Sequence, residues 1–179
     1  MKKAALLFIV MLLLAACAAP VIKKDLLAQG LRNVPISEIA GHPGKYKDRM
    51  FVLGGIIANT TVSDKGTFIE ALFFPVDDKG YFKNESGMGR FIAFWPRANG
   101  ILDPLLYRQN RRITVAGTLA GTMKGKIGSA SYVFPVIDVV QIHLWSEARY
   151  YYPPYYYYPY YPYDYGYPYP PYWGYGFYW

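Results

Sequence analysis

Residues 112–119 read RITVAGTL, and their side chains alternate in character. A period of two places successive side chains on opposite faces of a β-strand. One face would carry Ile113, Val115, Gly117 and Leu119, and the other Arg112, Thr114 and Thr118. The pattern predicts a strand with one face in a hydrophobic core.

Four further segments have the composition of strands. They span residues 50–58, 67–76, 90–95 and 132–145, and they are rich in Val, Ile and Phe. The first is nearly all apolar, interrupted by Gly54-Gly55, which predicts a bulge or a close approach of another backbone. The 77–89 loop contains several turn-forming residues, including Asp77-Asp78.

A short helix is predicted between the third and fourth strands. Asp103 is a suitable N-cap and Pro104 suits the first helical turn, so the helix would run through Arg108. Five strands with a helix after the third favour an all-β fold, a small, partly open OB-like Greek-key barrel with the helix closing one end. The alternative is a meander barrel without that helix.

The N-terminus has the layout of an export signal. Two lysines precede an uncharged apolar run of 13 residues, 4–16, which is short for a membrane-spanning helix. Leu14-Ala15-Ala16-Cys17 resembles the bacterial lipobox, in which the cysteine is acylated. We therefore expect Cys17 to bind the protein to outer-membrane lipid, since Ala18 is not the aspartate typical of inner-membrane retention. The alternative is an ordinary signal peptide followed by an incidental cysteine.

These features divide the chain into four parts: a signal peptide (1–16), a lipidated tether (17–34), a barrel domain (35–148) and a C-terminal tail (149–179). In the tether, Gly30 interrupts a marginal amphipathic turn. The barrel domain would open with a short helix capped by Ser37 and ended by Gly41.

Composition narrows the function classes. The chain has 179 residues, with 19 basic and 12 acidic side chains, too few residues for a multidomain enzyme. Its single cysteine excludes a disulfide scaffold. Removing the signal peptide leaves 17 basic and 12 acidic residues, a net charge of +5 that suits anionic lipid or lipopolysaccharide as readily as nucleic acid. Export argues against nucleic acid as a partner.

The sequence offers little catalytic chemistry. His42 and His143 are far apart and have no partner cysteines, and no common hydrolase or nucleotide-binding motif occurs. Residues 121–127, GTMKGKI, are interpreted as a glycine-rich hairpin turn with exposed lysines. We expect no enzyme activity, no cofactor and no metal site.

Glu70 is a lone charge in an apolar strand, and such a charge needs a partner. Arg90 or Arg112 would form a structural ion pair with it. The competing hypothesis, a catalytic carboxylate, lacks a second acid at a recognisable spacing. A binding role would instead use the face of the barrel. Four basic side chains would bind an anionic glycan or lipid there: Arg111, Arg112, Lys124 and Lys126.

An ordered set of short motifs within residues 42–145 resembles the Slp family of starvation-inducible outer-membrane lipoproteins. The motifs are Pro43-Gly44-Lys45-Tyr46, Gly54-Gly55, Thr67 with Glu70 and Pro75, Gly89-Arg90-Phe91, Leu102-Asp103-Pro104 with Tyr107, Thr114-Val115-Ala116-Gly117, Tyr132-Val133-Phe134-Pro135-Val136 and His143-Leu144-Trp145. The resemblance implies a lipid-anchored outer-membrane protein with a non-catalytic role in envelope integrity or stress. It supplies no catalytic residues.

The C-terminal tail is of low complexity. Residues 150–179 contain 16 tyrosines, 7 prolines and one charge, Asp164. Recurrent proline prevents regular structure, so we expect disorder. Tyrosine suits membrane headgroups and adaptable contacts. The tail is thus either a weak adhesive for glycan, lipid headgroup or an envelope protein, or an appendage without one ligand.

Overall fold

The computed structural model describes residues 19–83, 85 and 87–147. The signal peptide, Cys17 and the expected disorder of the tail lie outside the described residues. Within the described ranges, no helix has the length and hydropathy needed to cross a bilayer.

Five strands form a closed barrel in the order β1-β2-β3-β5-β4. They are β1 (Met50–Ser63), β2 (Gly66–Phe74), β3 (Arg90–Pro96), β4 (Arg112–Ile127) and β5 (Ala130–Leu144). All neighbours are antiparallel except β3 and β5, which run parallel. The prediction of an all-β, five-stranded OB-like barrel is confirmed, although the barrel is closed rather than partly open.

The main core fills the barrel interior. The predicted inward face of β4 is confirmed, because Ile113, Val115 and Leu119 are fully buried in this core. The opposite face is not exposed as alternation suggests, since Thr114 and Ala116 are also fully buried. On β1 the inward side chains include Phe51 and Leu53. The residues with period-two spacing thus supply the core.

Two strands extend further than their apolar segments. β1 continues to Ser63 and β4 to Ile127, because each polar end pairs across its own hairpin. The predicted turn at residues 121–127 is therefore wrong. Those residues form strand, and the chain turns at Gly128, whose φ of 60° is left-handed.

The connection from β3 to β4 differs from the prediction. A short helix is present, but it is a 3₁₀-helix at Arg97–Asn99. Asp103 starts only a turn, in which its Oδ1 accepts from the Leu105 amide at 2.8 Å. Leu105 and Leu106 do not close the barrel, since they are 81% and 56% exposed.

Helices from the N-terminal part complete the core instead. They are α1 (Lys24–Gln29), α2 (Ile36–Gly41) and α3 (Pro43–Tyr46). Ile36 and Ile39 of α2 and Tyr46 of α3 join the main core cluster. Ser37 lies inside α2 and makes no capping bond, because the N-cap is Pro35.

Residues 21–34, which the sequence places in the tether, pack against the barrel. Ile22 and Leu27 are buried in a second cluster with Val52 and Ala116, on the outer face of β1 and β4. Leu31 bridges to Phe51 in parallel. Exposing these apolar side chains to water would lower the free energy of unfolding of the domain. The segment therefore folds together with the barrel.

Candidate binding groove

A groove of about 380 Å³ lies on the barrel surface between the two long hairpins. The groove is formed largely by the parts of β1 and β4 that extend beyond the strand ends predicted from the sequence. These parts follow residue 58 in β1 and residue 119 in β4. Its lining residues are Asn59, Thr61, Ser63, Phe68, Glu70, Ile92 and Met123.

The lining divides by chemistry. Asn59, Thr61 and Ser63 alternate along β1 and contribute an amide and two hydroxyls to the lining. Asn59 Nδ2 donates to Thr61 Oγ1 at 3.3 Å, and the Ser63 hydroxyl donates to the Gly66 oxygen at 3.1 Å. Beside them on β2, Phe68 is the register partner of Thr61 and packs on Phe94 at a ring-centroid distance of 4.7 Å. A lining with both polar and apolar side chains suits a ligand that has both kinds of surface.

Glu70 lies in this groove and forms an ion pair. Arg90 Nη1 donates to Glu70 Oε1 at 2.6 Å, from the adjacent strand β3. The Glu70 side chain is 23% exposed, so it is half-buried rather than enclosed. Arg112, the other candidate partner, lies instead over the ring of Phe82, 5.6 Å from its centroid.

The four cations proposed as one anionic-ligand site do not form a single patch. Lys124 follows Arg112 by 12 residues on one continuous strand, a contour of about 40 Å. Arg111 is committed elsewhere, donating to the backbone oxygens of Leu106 and Trp145 at 3.1 and 2.8 Å. The expectation is corrected: extended backbone keeps these charges at opposite ends of β4.

The histidines belong to separate surroundings. His143 packs edge-on against Trp145, with ring centroids 4.7 Å apart, and burial lowers the pKa of its imidazole. His42 is exposed beside α2. Glu70 and His143 have different neighbours, so they do not share a site.

Asp77 has a structural role. Its Oδ1 accepts from the amides of Lys79 and Tyr81 at 2.9 and 2.8 Å, which is the geometry of the predicted turn. Among residues 19–83, 85 and 87–147, no cluster of three metal-ligating side chains occurs.

Sequence reasoning missed most of the groove. Asn59, Thr61 and Met123 fall in predicted turns, because polar residues and glycines follow each apolar segment. The signal available was the alternation of β1 continuing through Ser63. Which residues face one another across the barrel depends on strand order and could not be taken from local pattern.

Comparison with known proteins gives a family match over most of the chain. The model of the family described as outer membrane lipoprotein Slp matches residues 14–179. An uncharacterized protein of Haemophilus influenzae is 42% identical over 105 residues, covering 56% of this chain and 55% of that protein. The uncharacterized lipoprotein YeaY of Escherichia coli is 30% identical over 104 residues, covering 58% and 52%. The chain thus matches about half the length of these curated relatives.

Among solved structures, two single-stranded DNA-binding proteins align with part of this chain. The small protein from Streptomyces coelicolor is 16% identical with a TM-score of 0.34, over 54% of this chain and 94% of that one. Rim1 from the mitochondria of Saccharomyces cerevisiae is 7% identical with a TM-score of 0.32, over 57% and 99%.

Proposed function

This chain belongs to the Slp family of outer membrane lipoproteins, and on that premise we propose that it is a lipid-anchored, non-catalytic binding protein of the cell envelope. Acylation of Cys17 would hold it on the outer membrane. The groove between the hairpins would bind a glycan segment, in support of envelope integrity or stress resistance. The mixture of polar and apolar side chains that line this groove is the observation that carries the binding proposal.

The residues immediately after Cys17 would place a lipid anchor close to the folded body. Ala19 is only two residues downstream, and its carbonyl oxygen accepts from the Tyr81 hydroxyl at 2.9 Å. Val21 donates to the Lys79 oxygen at 3.0 Å, so the chain joins the folded body at once. A single acyl chain binds a membrane only reversibly, whereas two or more give stable anchoring. The lipobox resemblance implies more than one acyl chain on Cys17.

Mass spectrometry of the protein extracted from membranes tests the anchor. We expect a mature chain that begins at Cys17 and carries acyl groups. Cys17→Ser should abolish acylation and release the protein from the membrane fraction. An unmodified wild-type chain recovered from the soluble fraction would exclude the anchor.

The choice of a glycan rests on the groove lining. Sugars have hydroxyl edges and apolar ring faces, which match the polar side chains and the aromatic side chain of the lining respectively. The charges in the lining are satisfied internally, because Glu70 is paired with Arg90. An uncharged glycan stretch therefore fits better than the anionic ligand expected from the sequence.

Sedimentation with purified peptidoglycan, whose glycan strands are uncharged, tests the groove. The acylated protein in detergent should bind it, and Asn59→Ala with Thr61→Ala should weaken binding about tenfold through two lost hydrogen bonds to ligand. Thr122→Ala is the matched control, since Thr122 is exposed on β4 outside the groove lining. Equal binding by both variants would exclude the groove, whatever the state of Cys17.

The tail carries a second proposal from its composition. We infer that its 16 tyrosines act as a weak, multivalent adhesive for glycan, headgroup or an envelope protein. Deleting residues 150–179 should reduce the amount of protein retained on purified envelopes. The loss should be seen in both the acylated and the non-acylated form. Unchanged retention of both forms would favour an appendage without a ligand.

A further inference from the structure

We propose that the turn at residues 101–106 enters the headgroup region of the bilayer that holds the lipid anchor. We call this segment the leucine turn, after Leu105 and Leu106 at its tip. The proposal rests on acylation of Cys17. It adds a second membrane contact, and with it a fixed orientation of the barrel on the surface.

The leucine turn exposes apolar side chains that a soluble surface would not need. Ile101, Leu105 and Leu106 are 49%, 81% and 56% exposed. Three such side chains within six residues form a local apolar tip rather than scattered surface hydrophobics.

The backbone under the leucine turn is well supported. The Tyr107 amide donates to the Asp103 oxygen at 2.9 Å, and the Thr60 hydroxyl donates to the Tyr107 oxygen at 2.6 Å. Leu102, between the exposed residues, is buried and bonded through its amide to Thr67 Oγ1 at 3.2 Å. The leucines are thus held outward by a fixed turn.

A series of contacts joins the leucine turn to the anchor end of the chain. Arg111 links the Leu106 oxygen to the Trp145 oxygen, at 3.1 and 2.8 Å. The Trp145 ring packs on Tyr81 at 5.2 Å, and Tyr81 donates to Ala19. Cys17 is at most about 7 Å of extended chain from Ala19. An acylated Cys17 therefore brings this end of the barrel down to the lipid surface.

The charges around the leucine turn suit lipid phosphates. Four arginines and Lys65 lie at this end, against three acids: Arg97, Arg108, Arg111 and Arg112, with Asp64, Asp103 and Glu147. Glu147 pairs with Arg108 and Arg111, which leaves Arg97 exposed and Arg112 over Phe82. Apolar side chains bordered by cations are typical of interfacial membrane contacts.

The small size of the apolar tip favours a bilayer over a protein partner. A stable protein interface buries about 800 Å² on each side, more than three side chains on a protruding turn can supply. A membrane contact needs less, because the acyl anchor already keeps the turn at the surface. We therefore commit to a phospholipid bilayer as the occupant.

Site-directed fluorescence on vesicles tests the proposal. Cys17 is the sole cysteine and its sulfur is acylated in the proposed mature protein, so a second cysteine can be labelled uniquely. Leu105→Cys carries an NBD label, with Leu106→Cys as a second position. Ser129→Cys is the control, exposed at the tip of the β4–β5 hairpin, at the other end of the 16-residue β4. Full-length acylated protein is reconstituted on vesicles of phosphatidylethanolamine and phosphatidylglycerol that contain a lipid-borne quencher.

We expect blue-shifted emission and quenching at 105 and 106, at least about threefold stronger than at 129. Labels at 105 and 106 that stay water-exposed, or quenching equal to that at 129, would overturn the proposal. Mass spectrometry of each sample separates this result from failure of the anchor. If Cys17 proves unmodified, the anchor is wrong and the leucine-turn proposal, which rests on it, falls with it; an acylated chain whose labels at 105 and 106 are not quenched overturns the leucine turn alone.

Discussion

Glu70 and His143 illustrate how neighbours decide the role of a single side chain. Both stand out in the sequence as ionisable groups in apolar segments. Glu70 is paired with Arg90 across β2 and β3, and His143 lies against Trp145. Their positions on strands were predictable from the sequence. Their neighbours were not, because strand order selects Arg90 over Arg112.

His143 makes stability depend on pH. Burial lowers its pKa below 6.5, the value expected in the unfolded chain, so the unfolded state binds more protons between these two values. Stability contributed by neutral His143 is present above 6.5 and is lost as pH falls toward the folded-state pKa. His143→Gln should therefore lose less thermal stability than wild type between about pH 8 and about pH 5. His42→Gln is the control, and an unchanged pH slope in His143→Gln would contradict the assignment.

At the scale of elements, hairpin pairing outweighs local composition. β4 was predicted from its alternating residues alone, yet it extends eight residues further, because residues 121–127 pair with β5. Conversely, Asp103-Pro104 has a good helix-start signal, but the segment makes only a turn. Local signals therefore located the elements well and their ends poorly.

Gly117 permits β4 to coil closely against β5. The pairing register shifts between Ala116 and Gly117, and an added Cβ would lie 2.8 Å from Ile137 Cγ2 and closer still to the Asp138 oxygen. Gly117→Ala should reduce the free energy of unfolding by about 1–3 kcal/mol through overpacking. Gly41→Ala is the control, since nothing lies within 4 Å of its added Cβ. Urea denaturation measures both, and equal stability of the two variants would show that β4 can adjust.

At the scale of the whole molecule, the N-terminal segment belongs to the folded body. Residues from Val21 onward cover the outer face of β1 and β4, so the barrel has a second small core outside its interior. This leaves almost no free chain between Cys17 and the domain. In an acylated protein the folded domain would accordingly lie close to the membrane surface, because no long flexible linker separates it from Cys17.

Ile22→Ala tests whether that second core contributes to global stability. Ile22 is 1% exposed among Leu27, Val52, Val76 and Ala116, so its truncation should cost about 2–5 kcal/mol. Leu105→Ala, at a position 81% exposed, should change stability by less than about 0.5 kcal/mol. If Ile22→Ala unfolds in urea at the wild-type midpoint, the segment is only loosely attached.

The fold class, the positions of the five strands and the lipobox-like site at Cys17 could all be taken from the amino-acid sequence, because these depend on periodicity and on local motifs. The sequence also contained a sign of the outer core: the nearly continuous apolar run at the start of β1 is typical of a strand buried on both faces. The three-dimensional packing was needed to show what covers that second face, which arginine pairs with Glu70, where the groove lies, and that the leucine turn shares an end with Ala19. Those are contacts between residues distant in the chain. They arise from closing the barrel, which no local pattern specifies.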